Sequence, residues 1–433
     1  SLDFLTPTVN FPSNDKQKQK LIDLLIENGL SPNSKQLLKT IILNHEACFF
    51  KLLNTNNKIN LNAEDYNSFL KEAILVNNKE IAKYCVNNGA DANLLTPFAI
   101  EKEAKDLMLF CLDNGANTDT YITYAIEKND KSFLLLCIDK YNGSINEALI
   151  ACCANEKMDY AKILLEKGAD ANNGIIKAIE IQSLDITSLL LPLSNKTNEA
   201  LIKTAASLSN IEIVKMLLDS GSVAQNGLMN AVNSNQVNNV NLLLEKGALV
   251  DSDDFVLTAI KNKNLKVVQL LAMNGANISV GLELAINKNA SSIVEFLLSK
   301  GAEVYDNNKY VFVAVSNNYP QTLKVLIDFS LSVDFLDNNQ NSMLHLSCKK
   351  SFYEITKLLI DSKSIDINSY NKYGITPLMT VVTSPNKDIN LCKLLVENGA
   401  NVNAKNNNGI RVRKMAKGVR MKKYLKEQGA KKR

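Results

Sequence analysis

Apolar residues recur along the chain in short stretches at i, i+3, i+4 and i+7, the spacing of one face of an α-helix. "NEALIKTAASL" places Leu201, Ile202, Ala205 and Ala206 on one face, and "NIEIVKMLLDSG" does so with Ile211, Val214, Leu217 and Leu218. A tight polar turn joins such stretches, "SLSN" here and "NKND" or "NKNL" elsewhere. The pattern predicts pairs of short helices. Two helices of about ten residues cannot bury their apolar faces alone, so each pair has to stack on its neighbours.

The end of the second helix returns in nearly the same words. In "ILLEKGADANN" (163–173), Lys167 suits the carbonyl end and Gly168 suits the left-handed conformation that closes a helix. Copies are "YCVNNGADAN" (84–93), "FCLDNGANTD" (110–119), "MLLDSGSVAQ" (216–225), "LLLEKGALVD" (242–251), "LLAMNGANIS" (270–279), "FLLSKGAEVY" (296–305) and "LLVENGANVN" (394–403). Degenerate copies lie between them: "LCIDKYNGSI" (136–145), "LLLPLSNKTN" (189–198), "VLIDFSLSVD" (325–334) and "LLIDSKSIDIN" (358–368). "LLIENGLSPN" (24–33) and "YLKEQGAKKR" (424–433) sit near the ends. Gly89 and Gly115, Gly221 and Gly247, and Gly275 and Gly301 are each 26 residues apart, and Gly247 and Gly275 are 28 apart. Gly115 to Gly168 and Gly168 to Gly221 are double intervals of 53.

These units resemble ankyrin repeats. "GITPLMTVV" (374–382) leading to "LCKLLVENGANVN" (391–403) is close to a full consensus unit, and "NSMLHLSCKK" (341–350) keeps the Leu344-His345 pair but has Ser342-Met343 in place of Thr-Pro. The resemblance covers nearly the whole chain, about 14 or 15 units. It implies an all-α, ankyrin-type α-solenoid of stacked helix-turn-helix units. The family unit is about 33 residues long, whereas most units from Gly89 to Gly301 have 26 to 28. The missing residues fall where the family places a β-hairpin finger. Hairpins are therefore expected to be shortened or missing in the centre and present after about Asn338. The chain divides into an N-terminal extension (1–15), short divergent repeats (16–337), near-consensus repeats (338–404) and a basic capping repeat (405–433). The degenerate stretches 189–198, where Pro192 ends its helix early, and 325–334 read equally as bends or as breaks.

Composition fits an array. A chain of 433 residues, 46% hydrophobic, has more core-forming material than one compact domain uses. No uncharged apolar run reaches about 18 residues, so no membrane span is expected, and "SLDFLTPTVNF" lacks a secretory pattern. The eight cysteines show no CxxC and no Cys/His metal spacing. Cys85, Cys111 and Cys137 are 26 apart, a repeat position suited to a small buried hydrophobe in a reducing compartment. Asn and Lys are very frequent and Trp is absent. That is the coding bias of AT-rich genomes, such as those of some obligate intracellular bacteria, protozoa and giant viruses, and is read as silent about chemistry.

The resemblance also implies a function, the binding of a partner protein on the concave side. With the finger tips shortened, the polar positions of the first helices should line that groove: Lys71, Glu72, Tyr124, Glu127, Lys177, Glu180, Lys203, Asn230, Asn233, Lys261 and Glu283. Tyr121, Tyr124 and Tyr310 open first helices as candidate exposed aromatics. From Lys405 onward there are twelve Lys or Arg and one acid, Glu427, a net +11, which leaves −7 for the rest of a chain of +4. Arg411, Arg413, Lys414, Lys417, Arg420, Lys422 and Lys423 form a basic patch. It reads as the polar outer face of a final helix pair, or alternatively as a surface for nucleic acid or anionic membrane. No aromatic-interleaved platform accompanies it.

Enzyme signatures are missing from the sequence. The two histidines, His45 and His345, neighbour no nucleophile motif, and the phosphate-loop, dinucleotide and zinc-helix motifs do not occur. His345 occupies the family's Leu-His position, where the resemblance implies a structural hydrogen bond. The expectation is a monomeric, non-enzymatic scaffold without cofactor or metal. It would be cytoplasmic, or would act in host cytoplasm or nucleus as an effector of an intracellular bacterium or parasite.

Overall fold

The computed structural model describes residue 20 and residues 46–54, 61–195, 198–386 and 388–431. The extension 1–15, the copy at 24–33 and His45 lie outside the described residues. Two compact bodies divide between Asn195 and Lys196, within the degenerate stretch 189–198. Among the described residues the structure is helical, without a β-strand and with two isolated bridges.

Each body is built from the expected helix pairs. In the first, Ile145–Ala154 pairs with Met158–Glu166, and Ala171–Glu180 with Leu184–Leu190. In the second, Glu199–Ala206 pairs with Ile211–Asp219, Gln225–Asn233 with Val237–Glu245, and so on to Val412–Met415 with Val419–Glu427. First helices pack on first helices of neighbouring units in both bodies, and second helices on second helices along the second body. Leu201, Ile202, Ala205 and Ala206 are buried as the periodicity requires. The partner helix is rotated from its expected face: Ile213, Val214 and Leu217 are buried, while Ile211 and Leu218 are half-buried. Burying one Leu or Ile is worth about 1.5–3 kcal/mol, so the stack rests on many such side chains per body.

The recurring string has a separate task for nearly every letter. Gly168 adopts φ +95°, and its N–H bonds Leu165 O at 3.0 Å. The N–H of Ala169 reaches back to Leu164 O at 2.9 Å, so Gly and Ala together close the helix. Asp170 then caps the next helix by accepting from Asn172 N–H at 2.9 Å. That helix begins at Ala171, with no room for a finger. Asn172 Oδ1 in turn accepts from the N–H of Asn195, one unit on, at 2.7 Å. Asn93 and Asn146 do the same toward Asn117 and Asp170. In the second body Asn368 and Asn403 accept from Asn401 and Lys431.

Asparagine, read above as silent about chemistry, therefore has structural uses here. One set of asparagines forms rungs between units. Another, including Asn77, Asn129, Asn235, Asn289 and Asn318, adopts positive φ at the turn between first and second helices, where Asn is tolerated better than most side chains. Where the cap glycine is missing, Asn142, Ser330 and Lys363 take its left-handed conformation. The stack runs through 325–334 unbroken, because Asn307–Ser316 packs on Met343–Lys350 and Pro320–Asp328 on Tyr353–Asp361. At 189–198 the helix Leu184–Leu190 instead passes into a 3-10 turn, Leu191–Leu193, that contains Pro192.

Fingers are present where the units lengthen. Asp337 N–H bonds Asn341 O, Asn371 N–H bonds Ile375 O, and Asn406 N–H bonds Ile410 O, at 2.9, 3.0 and 3.1 Å. The bridges Leu336–Ser342 and Lys405–Arg411 close the outer two of these loops. Successive fingers bond one another, Lys372 N–H to Asn339 O at 3.1 Å and Asn407 N–H to Tyr373 O at 3.3 Å.

Two glycines six residues apart are fixed for different reasons, which gives a test. A Cβ on Gly168 would meet nothing within 4 Å, so Gly168→Ala should cost only its strained backbone, about 1 kcal/mol. A Cβ on helical Gly174 would lie 2.9 Å from Cys153 Sγ and 3.0 Å from Leu149 Cγ. Gly174→Ala should cost about 1–3 kcal/mol by overpacking. In urea denaturation, Cys153→Ala should recover part of the Gly174→Ala loss and none of the Gly168→Ala loss.

Candidate functional site

The polar positions expected to line a groove lie on the first helices, outside the buried pairs that hold neighbouring units together. Lys71, Glu127, Glu180, Asn233 and Lys261 are exposed, and Glu72, Lys177, Lys203, Asn230 and Glu283 are half-buried. Several are paired. Lys177 meets Glu180 at 3.1 Å, Lys203 meets Glu199 at 2.6 Å, and Glu283 meets Lys309 of the next first helix at 2.6 Å. Such exposed pairs stabilise by about 0–1 kcal/mol each, so they shape the charge pattern more than the fold. Beside them sit half-buried apolar residues, Ile176 before Lys177, Met229 before Asn230 and Leu284 after Glu283. Phe312 is 43% exposed at the matching position of Asn307–Ser316.

The tyrosines correct the expectation of exposed aromatics. Tyr121, Tyr124 and Tyr310 are all buried. Tyr121 donates its hydroxyl to Thr96 Oγ1 at 2.8 Å and packs edge-on to Phe133. Tyr124 also packs edge-on to Phe133. Helices this short need bulky residues at the unit interface, and the hydroxyls find partners or rims there. Only an edge of Tyr124 reaches the surface, where with Glu127, Asp119 and Thr123 it lines a shallow cavity of about 400 Å³.

The thiols and the histidine behave as parts of the core. All seven described cysteines placed in the core are free and buried, and burial pushes Cys85 and Cys137 up to about 12. Among the described residues no cluster of His, Cys, Asp and Glu could hold a metal ion, and no helix is long and apolar enough to cross a membrane. His345 is 2% exposed. Ser342 N–H donates to its Nδ1 at 3.2 Å, so Nδ1 is an acceptor and Nε2 carries the proton that is donated to Ile375 O at 2.8 Å. The neutral ring thus caps its own helix and ties it to the next finger.

The basic segment holds the helix pair Val412–Met415 and Val419–Glu427, which packs on Pro377–Thr383 and Ile389–Glu397. Arg411 and Arg413 are half-buried, while Lys414, Lys417, Arg420, Lys422 and Lys423 are exposed. The structure brings Arg411, Arg413, Lys414 and Lys422 around one cavity, which Lys417, Arg420 and Lys423 do not line.

These features define a repeat protein of stacked helix pairs, whose long units carry fingers. The family model of ankyrin repeats, in three copies, matches residues 311–406. Two ankyrin repeat proteins of Fowlpox virus (strain NVSL) are similar, one at 29% identity over 152 residues, 32% of this chain and 36% of that protein. The other is 26% identical over 227 residues, 46% of this chain and 30% of that protein. The chain thus spans about a third of the length of these relatives. The ankyrin repeat domain of Bcl-3, a member of the IkappaB family, is similar at 20% identity over 46% of this chain and 97% of that domain, with a TM-score of 0.39. Residues 311–406 thus match ankyrin repeats, a likeness that supports a protein-interaction scaffold.

His345 yields a pH prediction. Burial, ahead of the opposing Ile375 hydrogen bond and Asp337 charge, holds its pKa below the ordinary value near 6.5. The neutral ring's contribution to stability is present above the unfolded value and is lost as pH falls through the folded one. The denaturation midpoint should therefore drop between about pH 7.5 and about pH 5.5. His345→Gln keeps a capping side chain without a proton to gain, and should flatten that drop. An unchanged slope in the variant would rule His345 out as its source.

Proposed function

We propose that the chain is a non-enzymatic scaffold that binds a partner protein along the concave face formed by its first helices. The observation that supports this most is the mixed character of that layer in the short units. Four first helices put an apolar and a polar side chain side by side between their two buried pairs, Ile176-Lys177, Met229-Asn230, Leu257-Thr258 and Glu283-Leu284, while others carry two polar residues, as Lys203-Thr204, or two apolar ones, as Phe312-Val313. Met and aromatic residues among satisfied polar neighbours are the composition of a protein interface core and rim. Without fingers in these units, a partner reaches the helices directly. The same faces carry both signs of charge, which fits a protein better than a polyanion.

The partner is proposed to be a host-cell protein, with the chain acting as an effector in host cytoplasm. Support comes from the AT-rich residue usage, the buried free thiols, and the viral origin of similar proteins. Tagged chain confined to the producing organism or particle throughout infection would count against this assignment.

The surface itself is tested once a partner has been captured. Phe312→Ala combined with Lys203→Glu should weaken binding by about tenfold or more, as loss of an interface anchor does. Lys266→Glu, an exposed change on the second-helix layer, should leave the affinity within about twofold. Equal losses from both, or none from the first, would exclude the first-helix face.

A further inference from the structure

The last unit carries a surface of another kind. The finger closed by Lys405 and Arg411, the short helix Val412–Met415 and the helix Val419–Glu427 surround an open cavity of about 650 Å³. Its side-chain lining includes Arg411, Arg413, Lys414 and Lys422, with the turn at Asn408, Gly409 and Ile410. That is four cations and no carboxylate. None of the four takes part in an ion pair among the described residues.

The two guanidinium groups are held in place by backbone. Arg411 Nη1 donates to Asn403 O at 2.8 Å, and Arg413 Nη1 to Ala430 O at 3.3 Å. Each guanidinium has five N–H donors, so most stay unspent after these anchors. Arg411 Nε is buried and has no acceptor. Four like charges around one cavity repel one another, and among the described residues no carboxylate lines the cavity to neutralise them. An anion that accepts several hydrogen bonds would do both. Anchored arginine forks beside mobile lysine point charges are the chemistry of phosphate recognition.

The shape narrows the ligand. The volume lies in the range of small-molecule sites, about 300–1,000 Å³, and four cations match a group with several negative charges. Single-stranded nucleic acid would need aromatic side chains on which bases stack, and the lining has none. We propose that this cavity binds a polyphosphate group, carried either by a free metabolite or by a phosphorylated lipid headgroup. The site is separate from the first-helix faces of the short units, so it stands or falls independently of the partner proposed above.

The test uses the full chain and inorganic tripolyphosphate, titrated by calorimetry at physiological ionic strength. Saturable binding of one tripolyphosphate per chain is expected. Lys414→Gln with Lys422→Gln removes two exposed, unbonded cations from the cavity and should weaken binding about tenfold or more. Lys414→Gln alone should weaken it less, and serves as the readout if the double variant misfolds. Lys423→Gln with Lys426→Gln removes the same charge from the helix of Lys422, outside the cavity lining, and should weaken binding clearly less than the Lys414/Lys422 pair. No saturable binding, or equal weakening by both pairs, would overturn the site in favour of diffuse charge. Phosphatidylcholine vesicles with and without phosphatidylinositol bisphosphate separate the sources. Association that needs the bisphosphate and is lost in the Lys414/Lys422 variant supports the headgroup. Tripolyphosphate binding without vesicle association supports the free ligand. Short duplex DNA bound more tightly than tripolyphosphate, and weakened equally by both variant pairs, would overturn the proposal for a nucleic-acid surface.

Discussion

Every feature of this chain follows from helices too short to bury their own apolar faces. A helix such as Ile211–Asp219 has nine residues, below the length at which isolated helices persist in water, about 12–15 residues. Its partner in the pair is no longer. Stability therefore has to come from handing apolar surface on to the next unit, and that demands a constant geometry between units. The left-handed residue after most second helices supplies it, in many units with a small Ala that follows. Gly174 in its helix and a buried Ala in most first helices, such as Ala178, Ala231 and Ala259, let the layers approach closely. Lys140 with Asp113 and Lys167 with Asp139, both at 2.9 Å, join successive units from outside, and they add little beside the buried side chains.

Removing a finger takes more than length from a unit. In the long units the fingers bond each other through backbone, so that part of the contact between neighbours is independent of side-chain identity. A short unit lacks it and keeps the contact that long units also make at Asn368 and Asn403. The asparagine two residues after the helix cap reaches the backbone of the next unit with its carboxamide at 2.7–2.9 Å. Gln225 makes the equivalent contact in both directions with Leu249. A hydrogen bond of this kind is worth about 0.5–1.5 kcal/mol net, repeated along the array. Asn is favoured there because its side chain is short enough to be rigid and carries both donor and acceptor.

Much of this was legible in the sequence because it is local. The cap glycines, the helix pairs and the onset of fingers near Asn338 depend on residues adjacent in the chain, and periodicity with loop length reports them. What was hidden depends on neighbours 23 to 33 residues away. The string "GADAN" shows Asn172 but not that its partner is Asn195. The face of Ile211–Asp219 is ambiguous because nine residues fit several apolar stripes, and contact with Val237–Glu245 and the first helix chooses Ile213. Tyr121 and Tyr310 looked like surface residues because they open helices beside polar turns, yet the neighbouring unit covers them. The basic segment read as a stripe of charge. Only the meeting of the finger, the short helix and Lys422 turns part of it into a cavity.

That cavity cannot borrow its counter-charge from elsewhere in the chain. The residues before Lys405 carry a net −7 against +11 from there on, so the molecule as a whole is nearly balanced. Screening in physiological salt acts over about 8 Å, less than the width of a single helix with its side chains, about 10–12 Å. Acids more than one unit away therefore do little for Arg411, Arg413, Lys414 and Lys422. The one acid of the last unit, Glu427, does not line the cavity. In the short units, by contrast, the cations Lys177, Lys203 and Lys309 each have a carboxylate within 3.1 Å. At these three positions the first-helix faces carry their own counter-charge and leave more of the affinity to shape and apolar contact. The end of the array keeps its charge uncompensated at close range, and that local excess is what a polyanionic ligand would answer.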